Sequence, residues 1–380
     1  MKGSAVEVVL VGVHGFGRHQ LRAILDLAAV DPEVRLVAVC DPRPPGGDLA
    51  EVLAGVPHHA ALGDLPPPGA RPRVTVIATP LHTHVDLGVA ALRSGSHVLL
   101  EKPPASTLAD FGRLVAAVEE TGLACQVGFQ SLGSAAVAAV RDLIAADAIG
   151  PVRGIGIAGA WQRDASYFSR TTWSGRRVLD GVAVVDGALT NPFAHSLATA
   201  LAIDGSTRVG EVGDIEVELY RANAIESDDT SAVRLRTKNG ATIVAAVTLC
   251  AEQVASPYLV VHGERGAITF HYKESRIRLR TAERDETTEF PETGLLGDLV
   301  ARARSAEHRL IAPAEETGAF TEVLEAVRLA PEPAVVAARP VGSGDTLRHV
   351  LPGVDDAVRR CADELLLFSE LGLEWTCSQP

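Results

Sequence analysis

The sequence predicts an α/β protein: an N-terminal Rossmann-type, doubly wound parallel sheet, followed by an α/β domain with a large open antiparallel sheet. Three observations predict it. Strand-like and helix-like segments alternate with short links as far as residue 130, as in a parallel sheet covered by helices on both faces. Beyond Gln130 period-2 patterns take over, as in strands with one solvated face. The 380 residues, 47% hydrophobic and 22% charged, are globular in composition and too many for one core. The expected domains are 1–130 and 131–380, with the last helix packing back on the first domain.

Val6 to Val11 is apolar apart from Glu7, as expected of a strand buried on both faces. A glycine turn and a helix from Gly17 to Ala29 follow, then a strand from Arg35 to Cys40 ending at Asp41. The loop at Pro42–Gly47, a short helix and the breaker Pro66-Pro67-Pro68-Gly69 precede a strand at Val74–Ala78. A helix over Thr83–Arg93, a strand over His97–Leu100, a helix over Leu108–Thr121 and a strand over Ala124–Gly128 close the series. In the second part a helix near Ala135–Ala146 comes first. Alternation then marks Ile215-x-Val217-x-Leu219 and Val233-x-Leu235, and Asn239-Gly240 is a hairpin turn into Thr242–Leu249. Tyr258–His262, Ala267–Tyr272 and Ile277–Leu279 extend the meander; helices are expected near Leu295–Leu310, Phe320–Leu329 and Val354–Leu371.

The net charge of −13 argues against a nucleic-acid partner. Cys40, Cys125, Cys250, Cys361 and Cys377 are dispersed and form no Cys-x-x-Cys pair, so reduced, mostly buried thiols are expected and no metal site. His58-His59 has no supporting acid or cysteine and reads as a solvated loop. No apolar run reaches membrane-spanning length and no signal-peptide pattern opens the chain, so a cytoplasmic protein with no membrane partner is expected. A sheet face left bare by the predicted helices suggests a homodimer or homotetramer formed through that sheet.

The chemistry is concentrated in two places. Lysine is scarce: Lys2, Lys102, Lys238 and Lys273 stand against 31 arginines. Lys102 sits at a strand end, in His97-Val98-Leu99-Leu100-Glu101-Lys102-Pro103, and lysine can give up a proton where arginine cannot. The second place is Gly12-Val13-His14-Gly15-Phe16-Gly17, between strand and helix. Gly12 and Gly17 fit a dinucleotide fingerprint, while His14 takes the place of its middle glycine and Gly15 is displaced by one. A glycine turn also serves ordinary strand–helix connections. Asp41, at the end of the next strand, is where a ribose-binding acid belongs and favours NAD; Arg43 is close enough to accommodate a 2′-phosphate, so NADP stays open.

Thr79-Pro80 after a strand, His84 four positions beyond Pro80, Gly95-x-His97-Val98, Glu101-Lys102-Pro103 and Gly128-Phe129-Gln130, in that order, resemble the Gfo/Idh/MocA (glucose–fructose oxidoreductase / inositol dehydrogenase) family over roughly residues 5 to 130. The resemblance implies an NAD(P)-dependent oxidoreductase acting on a hydroxyl or ketone carbon of a sugar, cyclitol or related polyol. It implies cofactor contacts from Thr79, Pro80, His84, Glu101, Lys102 and Gln130. It also places Lys102 beside the nicotinamide and the reacting hydroxyl. Glu101 is either a cofactor contact or the partner that positions Lys102.

The family's Asp-x-Gly-x-His motif is met only by Asn191-Pro192-Phe193-Ala194-His195. His195 is the expected acid/base, against a plain buried histidine, and Asn191 orients substrate without acting as a base. Thr190 or Asn191 is the expected helix cap. Asp186 is the nearby acid chosen to supply the missing charge. Trp161, Arg163, Tyr167 and Trp173 lie in a stretch rich in aromatics for a chain with 4% of them. They suit a polyol platform, or equally a packed loop at a domain interface. Two other functions remain open on this fold: redox-assisted glycoside hydrolysis or elimination with tightly held NAD, and a catalytically silent cofactor-binding regulator.

Overall fold

The computed structural model describes residues 5–376. Its elements begin with β1 (Val6–Val11), α1 (Gly17–Val30), β2 (Val34–Cys40), α2 (Asp48–Val52), β3 (His58–His59), β4 (Arg73–Ile77), α3 (His84–Arg93), β5 (His97–Leu100), α4 (Leu108–Thr121) and β6 (Cys125–Val127). There follow α5 (Ala136–Ala145), β7 (Val152–Ala160), α6 (Ala165–Ser169), β8 (Val178–Leu179), β9 (Val182–Ala183) and α7 (Ala194–Asp204). A run of strands comes next: β10 (Val212–Arg221), β11 (Thr230–Thr237), β12 (Thr242–Thr248), β13 (Tyr258–Gly263), β14 (Gly266–His271), β15 (Arg276–Thr281) and β16 (Asp285–Glu289). The chain closes with α8 (Leu295–Arg304), α9 (Gly318–Leu329), β17 (Ala334–Val335), β18 (Arg339–Val341), β19 (Arg348–Val350) and α10 (Val354–Glu364).

These residues form two compact units. The first extends to Gly133 and takes back Thr293–Thr317; the second holds Ser134–Glu292 and the chain from Gly318 onward. The sequence suggests a single crossing near Gln130. The return is set by α8, whose Leu295, Leu296, Leu299 and Val300 join Val8, Leu10, Ile24, Val76 and Leu99 in one core.

The first unit is a six-stranded parallel sheet in the order β3-β2-β1-β4-β5-β6. Its central strands are apolar because helices cover both faces: Val8, Leu10, Val74, Val76 and Leu100 are fully buried. The order in which successive strands are added reverses between β1 and β4, which opens a crevice beyond their carboxyl ends. His58-His59 is not a loop: β3 pairs with Val39 and Cys40 of β2, and His58 Nε2 donates to the Asp41 carbonyl at 2.8 Å.

The second unit carries a nine-stranded sheet in the order β16-β15-β14-β13-β7-β12-β11-β10-β17. It is mostly antiparallel, but β7–β12 and β10–β17 are parallel, so the sheet is mixed. The Asn239-Gly240 turn does join β11 to β12, with Gly240 at φ +87°. The central strands are covered on both faces. Gly159 meets the Phe193 ring on one side, while Gly154 and Gly156 admit α10 and the residue after it on the other. Val354, Val358 and Cys361 of α10 pack with Ala158, Val244, Ala246 and Val260. The last helix thus covers this sheet and belongs to the second unit, not to the first. Over its central strands one face of the sheet is occupied by the chain's own α10, while the outermost β16 is exposed along its whole length. Cys40, Cys125, Cys250 and Cys361 are buried thiols, and Cys377 lies outside the described residues. No described helix is long and apolar enough to cross a membrane.

Candidate active site

In the first unit, the parallel strands bring the ends of β1, β2, β4 and β5 to one edge of the sheet. Gly12 ends β1 with φ +84°, and a Cβ there would come within 2.7 Å of the Ala78 oxygen and 3.0 Å of Thr79 Cγ2. A Cβ on Gly17 would strike the Gly12 carbonyl. Both glycines are therefore required for the close approach of loop, helix and β4. Gly15 also has positive φ, but its Cβ position faces open space, and Phe16 beside it is 52% exposed. The loop is thus tight at its ends and open at its crown, the shape a pyrophosphate needs above a helix start.

Asp41 is 7% exposed, and its carboxylate accepts from the Val13 N–H and the Arg43 N–H, each at 3.0 Å. The acid at the end of β2 is thereby fixed against the glycine loop. The Arg43 guanidinium lies 3.9 Å from Asp41 and is largely exposed, and His14 Nε2 donates to the Arg43 carbonyl at 3.4 Å. After β4, the hydroxyls of Thr79 and Thr83 bond at 2.7 Å, and Pro80 leads into a short turn before α3. His84 is 2% exposed and spans two loops, with Nδ1 at 2.8 Å from the Pro103 carbonyl and Nε2 at 2.9 Å from the Thr79 carbonyl. Burial lowers its pKa against these two carbonyls. Its ring therefore ties the β4 loop to the Lys102-Pro103 turn.

Glu101 is buried at 7% exposure. Its Oε1 accepts from Gln20 Nε2 at 2.5 Å, with Gln130 Nε2 at 3.5 Å, and Oε2 lies 3.4 Å from the Lys102 N–H. A Cβ on Gly128 would crowd this carboxyl at 3.0 Å. Burial pushes the Glu101 pKa up to about 7, with Lys102 and the amides opposing. The Lys102–Pro103 bond is cis.

In the second unit, Asp186 and Asn191 are in contact: Asn191 Nδ2 donates to Asp186 Oδ1 at 2.5 Å. The other Asp186 oxygen accepts from the Gly175 N–H at 2.7 Å. Val185, just before Asp186, has φ +43°, a costly conformation for a β-branched residue. The expected cap does not form. Helix α7 starts at Ala194 after an uncapped Phe193, because the Thr190 hydroxyl is committed to the preceding turn, donating to Val185 O and accepting from Gly187 N. His195 is therefore the second residue of α7. Asp228, itself buried, accepts from the Ala188 N–H at 2.9 Å, and only a glycine at 187 leaves room for its carboxylate.

The aromatic stretch folds into one cluster. Arg163 lies over Trp161 and Tyr167, with its Cζ 4.9 and 4.8 Å from the ring centroids. Trp161 packs on Phe193 at 4.5 Å, next to the start of α7. Trp173 joins through Arg170, which sits 3.5 Å from the Tyr167 centroid and 5.5 Å from that of Trp173. Three residues missed from the sequence now belong here: Gln20, Arg170 and Lys273. Gln20 is 81 positions from Glu101 and left no local signal. Arg170 stands three residues after Tyr167, a helical spacing that could have flagged it.

Residues 6–129 match the family model described as oxidoreductase family, NAD-binding Rossmann fold, and residues 137–269 match the GFO/IDH/MocA C-terminal domain. The chain is 32% identical over 152 residues to a dTDP-3,4-didehydro-2,6-dideoxy-alpha-D-glucose 3-reductase of Streptomyces violaceoruber, covering 40% of this chain and 44% of that protein. It is 27% identical over 232 residues to levoglucosan dehydrogenase of Pseudarthrobacter phenanthrenivorans, covering 55% and 57%. These matches therefore span only about half the length of the curated relatives. The WlbA dehydrogenase of Bordetella pertussis, solved with NADH and UDP-GlcNAcA, superposes with a TM-score of 0.68 at 23% identity, covering 85% of this chain and 95% of that one, and so shares the fold.

Proposed function

This chain belongs to the Gfo/Idh/MocA family of NAD-binding Rossmann oxidoreductases, and from that premise we propose that it transfers a hydride between NAD and a carbinol or ketone carbon of a sugar, cyclitol or related polyol. One observation carries the proposal: the glycine loop, the buried Asp41 and the Glu101-Lys102 strand end share one edge of a parallel sheet whose order is 3-2-1-4-5-6. The loop fits the cofactor, since Gly12 and Gly17 admit no side chain while the space over Gly15 is open. Gly12, His14, Gly15, Phe16 and Gly17 would hold its pyrophosphate, Asp41 and Arg43 its ribose, and Thr79 and Pro80 would line the crevice beside them.

When bound, the nicotinamide supplies the hydride acceptor or donor. The protein's own groups handle the proton. The Lys102 ammonium hydrogen-bonds the reacting oxygen and stabilises negative charge developing on it. Glu101, held by Gln20, sets the position of that lysine. His195 takes the hydroxyl proton during oxidation and returns it during reduction. Asn191 cannot act as a base. With its Nδ2 given to Asp186, its amide is oriented and its carbonyl serves as an acceptor for a substrate hydroxyl. Asp186 brings the negative charge that the asparagine lacks. Trp161, Arg163, Tyr167 and Trp173 provide the platform for the polyol.

The test is a panel of sugars, cyclitols and glycosides with NAD and NADP, followed at the nicotinamide absorbance and for released product. Lys102→Ala should lower turnover roughly a hundredfold or more, with NAD affinity little changed. Cofactor binding without turnover of any compound, unaltered by that substitution, would favour a silent regulator. Glycoside cleavage without net NADH would favour redox-assisted hydrolysis.

A further inference from the structure

Six side chains of the second unit stack in alternation: Lys273, Trp161, Arg163, Tyr167, Arg170 and Trp173. The Lys273 ammonium is 5.0 Å from the Trp161 centroid, and the two arginines continue the series between Trp161, Tyr167 and Trp173. Cation–aromatic contacts stabilise each step modestly, and they engage the faces of the guanidinium groups while leaving their edge N–H donors in plane. Those donors are poorly served from within the protein. Arg163 Nη1 donates to the Gln162 carbonyl at 3.1 Å, but its buried Nε has no hydrogen-bond partner among the described residues. Arg170 Nη1 donates to the Tyr167 carbonyl at 2.9 Å.

Among the described residues, none of the three cations is ion-paired with a carboxylate. The acids next to them in sequence are committed elsewhere. Asp164 caps α6, accepting from the Tyr167 N–H at 3.1 Å and the Ser166 hydroxyl at 2.6 Å. Glu274 pairs with Arg276 and accepts from Ser256. Neighbouring Arg176 does have its acid, Glu226, at 3.1 Å. In a chain of net charge −13, three adjacent cations without acids are not a by-product of a basic composition. An unsatisfied buried donor is costly, and the cost is recovered when a ligand supplies the acceptor.

The ladder adjoins the groups assigned to catalysis. Trp161 packs on Phe193, two residues before His195, and the Gly175 N–H, two residues after Trp173, is bound to Asp186. We propose that the ladder recognises an anionic substituent, a carboxylate or a phosphate, carried by the polyhydroxy substrate, with Arg163 and Arg170 as its principal ligands. A planar guanidinium edge matches either anion in a bidentate manner. The polyol part of this substrate rests on the oxidoreductase reading above; the anionic part rests on the ladder.

D-Glucuronate and D-glucose 6-phosphate serve as acidic probes, and D-glucose and myo-inositol as neutral ones. Binding is followed by calorimetry and by tryptophan fluorescence with NAD present, and turnover at the nicotinamide absorbance. The wild type should bind at least one acidic probe more tightly than either neutral one, and weaken with salt; whichever acid prevails identifies the anion. Arg163→Gln and Arg170→Gln should each weaken that probe roughly ten- to hundredfold, through KM and not kcat, and should weaken it far more than they weaken the neutral probes. Arg163→Lys, which keeps the charge but not the fork, should recover part of the loss, and circular dichroism checks that each variant is folded. Equal handling of acidic and neutral probes, or no binding of either acid, overturns the proposal. Arginine-dependent acid binding without turnover would support the ladder while counting against the oxidoreductase reading. Turnover of neutral polyols with no acid preference would do the reverse.

Discussion

Asp41 joins two loops through one carboxylate, since its oxygens accept from Val13 N–H in the glycine loop and from Arg43 N–H beyond β2. Facing a ribose, this fixed charge accepts from a 2′-hydroxyl and repels a 2′-phosphate. Asp41→Ala should therefore weaken NAD by about tenfold or more and NADP much less, as read by cofactor fluorescence titration; equal effects on both would remove the ribose assignment. Glu101 makes a second residue-scale prediction. Its pKa of about 7 in the folded chain lies above the ordinary 4.5, so the folded state keeps a proton that the unfolded state has lost. Stability due to this group is accordingly greatest below the ordinary value and declines as pH rises from about 4.5 to about 7. Glu101→Gln should flatten that decline relative to wild type in urea titrations across the interval; identical slopes would show that Glu101 does not titrate there. The acid itself was legible in the sequence beside Lys102. Its partner Gln20 was not, because contacts across 81 residues leave no spacing pattern. Asp186 could be picked out only as a nearby carboxylate, and its bond to Asn191 needed the turn closed by Thr190.

At the scale of elements, periodicity marked the first-unit strands well, because β1 and β4 are buried over almost their whole length and mostly apolar for a physical reason: helices lie on both sides. Cap chemistry misled at α7. Thr190-Asn191-Pro192 has the composition of a helix start, yet the hydroxyl closes the turn before it and the helix begins at Ala194. β3 escaped notice because two residues carry no period. α10 was recognised as a helix but not placed. Its position depends on small residues in a distant strand: a Cβ at Gly156 would meet the Ala362 backbone, whose carbonyl also accepts from His262 at 2.9 Å. Gly156→Val should push α10 off the sheet and cost about 1–3 kcal/mol or more, measured as a lowered urea midpoint; an unchanged midpoint would mean that the helix does not bear on β7.

At the scale of the whole molecule, the two units separate what sequence can and cannot specify. The parallel order 3-2-1-4-5-6 follows from alternating strands and helices with short right-handed links, so local pattern nearly determines it. The second sheet does not follow in this way. β7 sits between β12 and β13, parallel to one and antiparallel to the other, although about 80 residues separate it from β12. No turn connects such partners, and period-2 alternation does not report which strands pair. The same holds for α8, which reads as a helix of the second half and completes the core of the first unit. The sequence by itself determined the glycine loop, Asp41, the Glu101-Lys102-Pro103 strand end and the α/β class, because each is set by local steric and hydrogen-bonding demands. Tertiary structure alone decided the mixed sheet, the face covered by α10, the Gln20–Glu101 bond and the stacking of Arg163 and Arg170 between aromatic rings. Those depend on burial and on contacts between segments far apart in the chain, which only the folded core brings together.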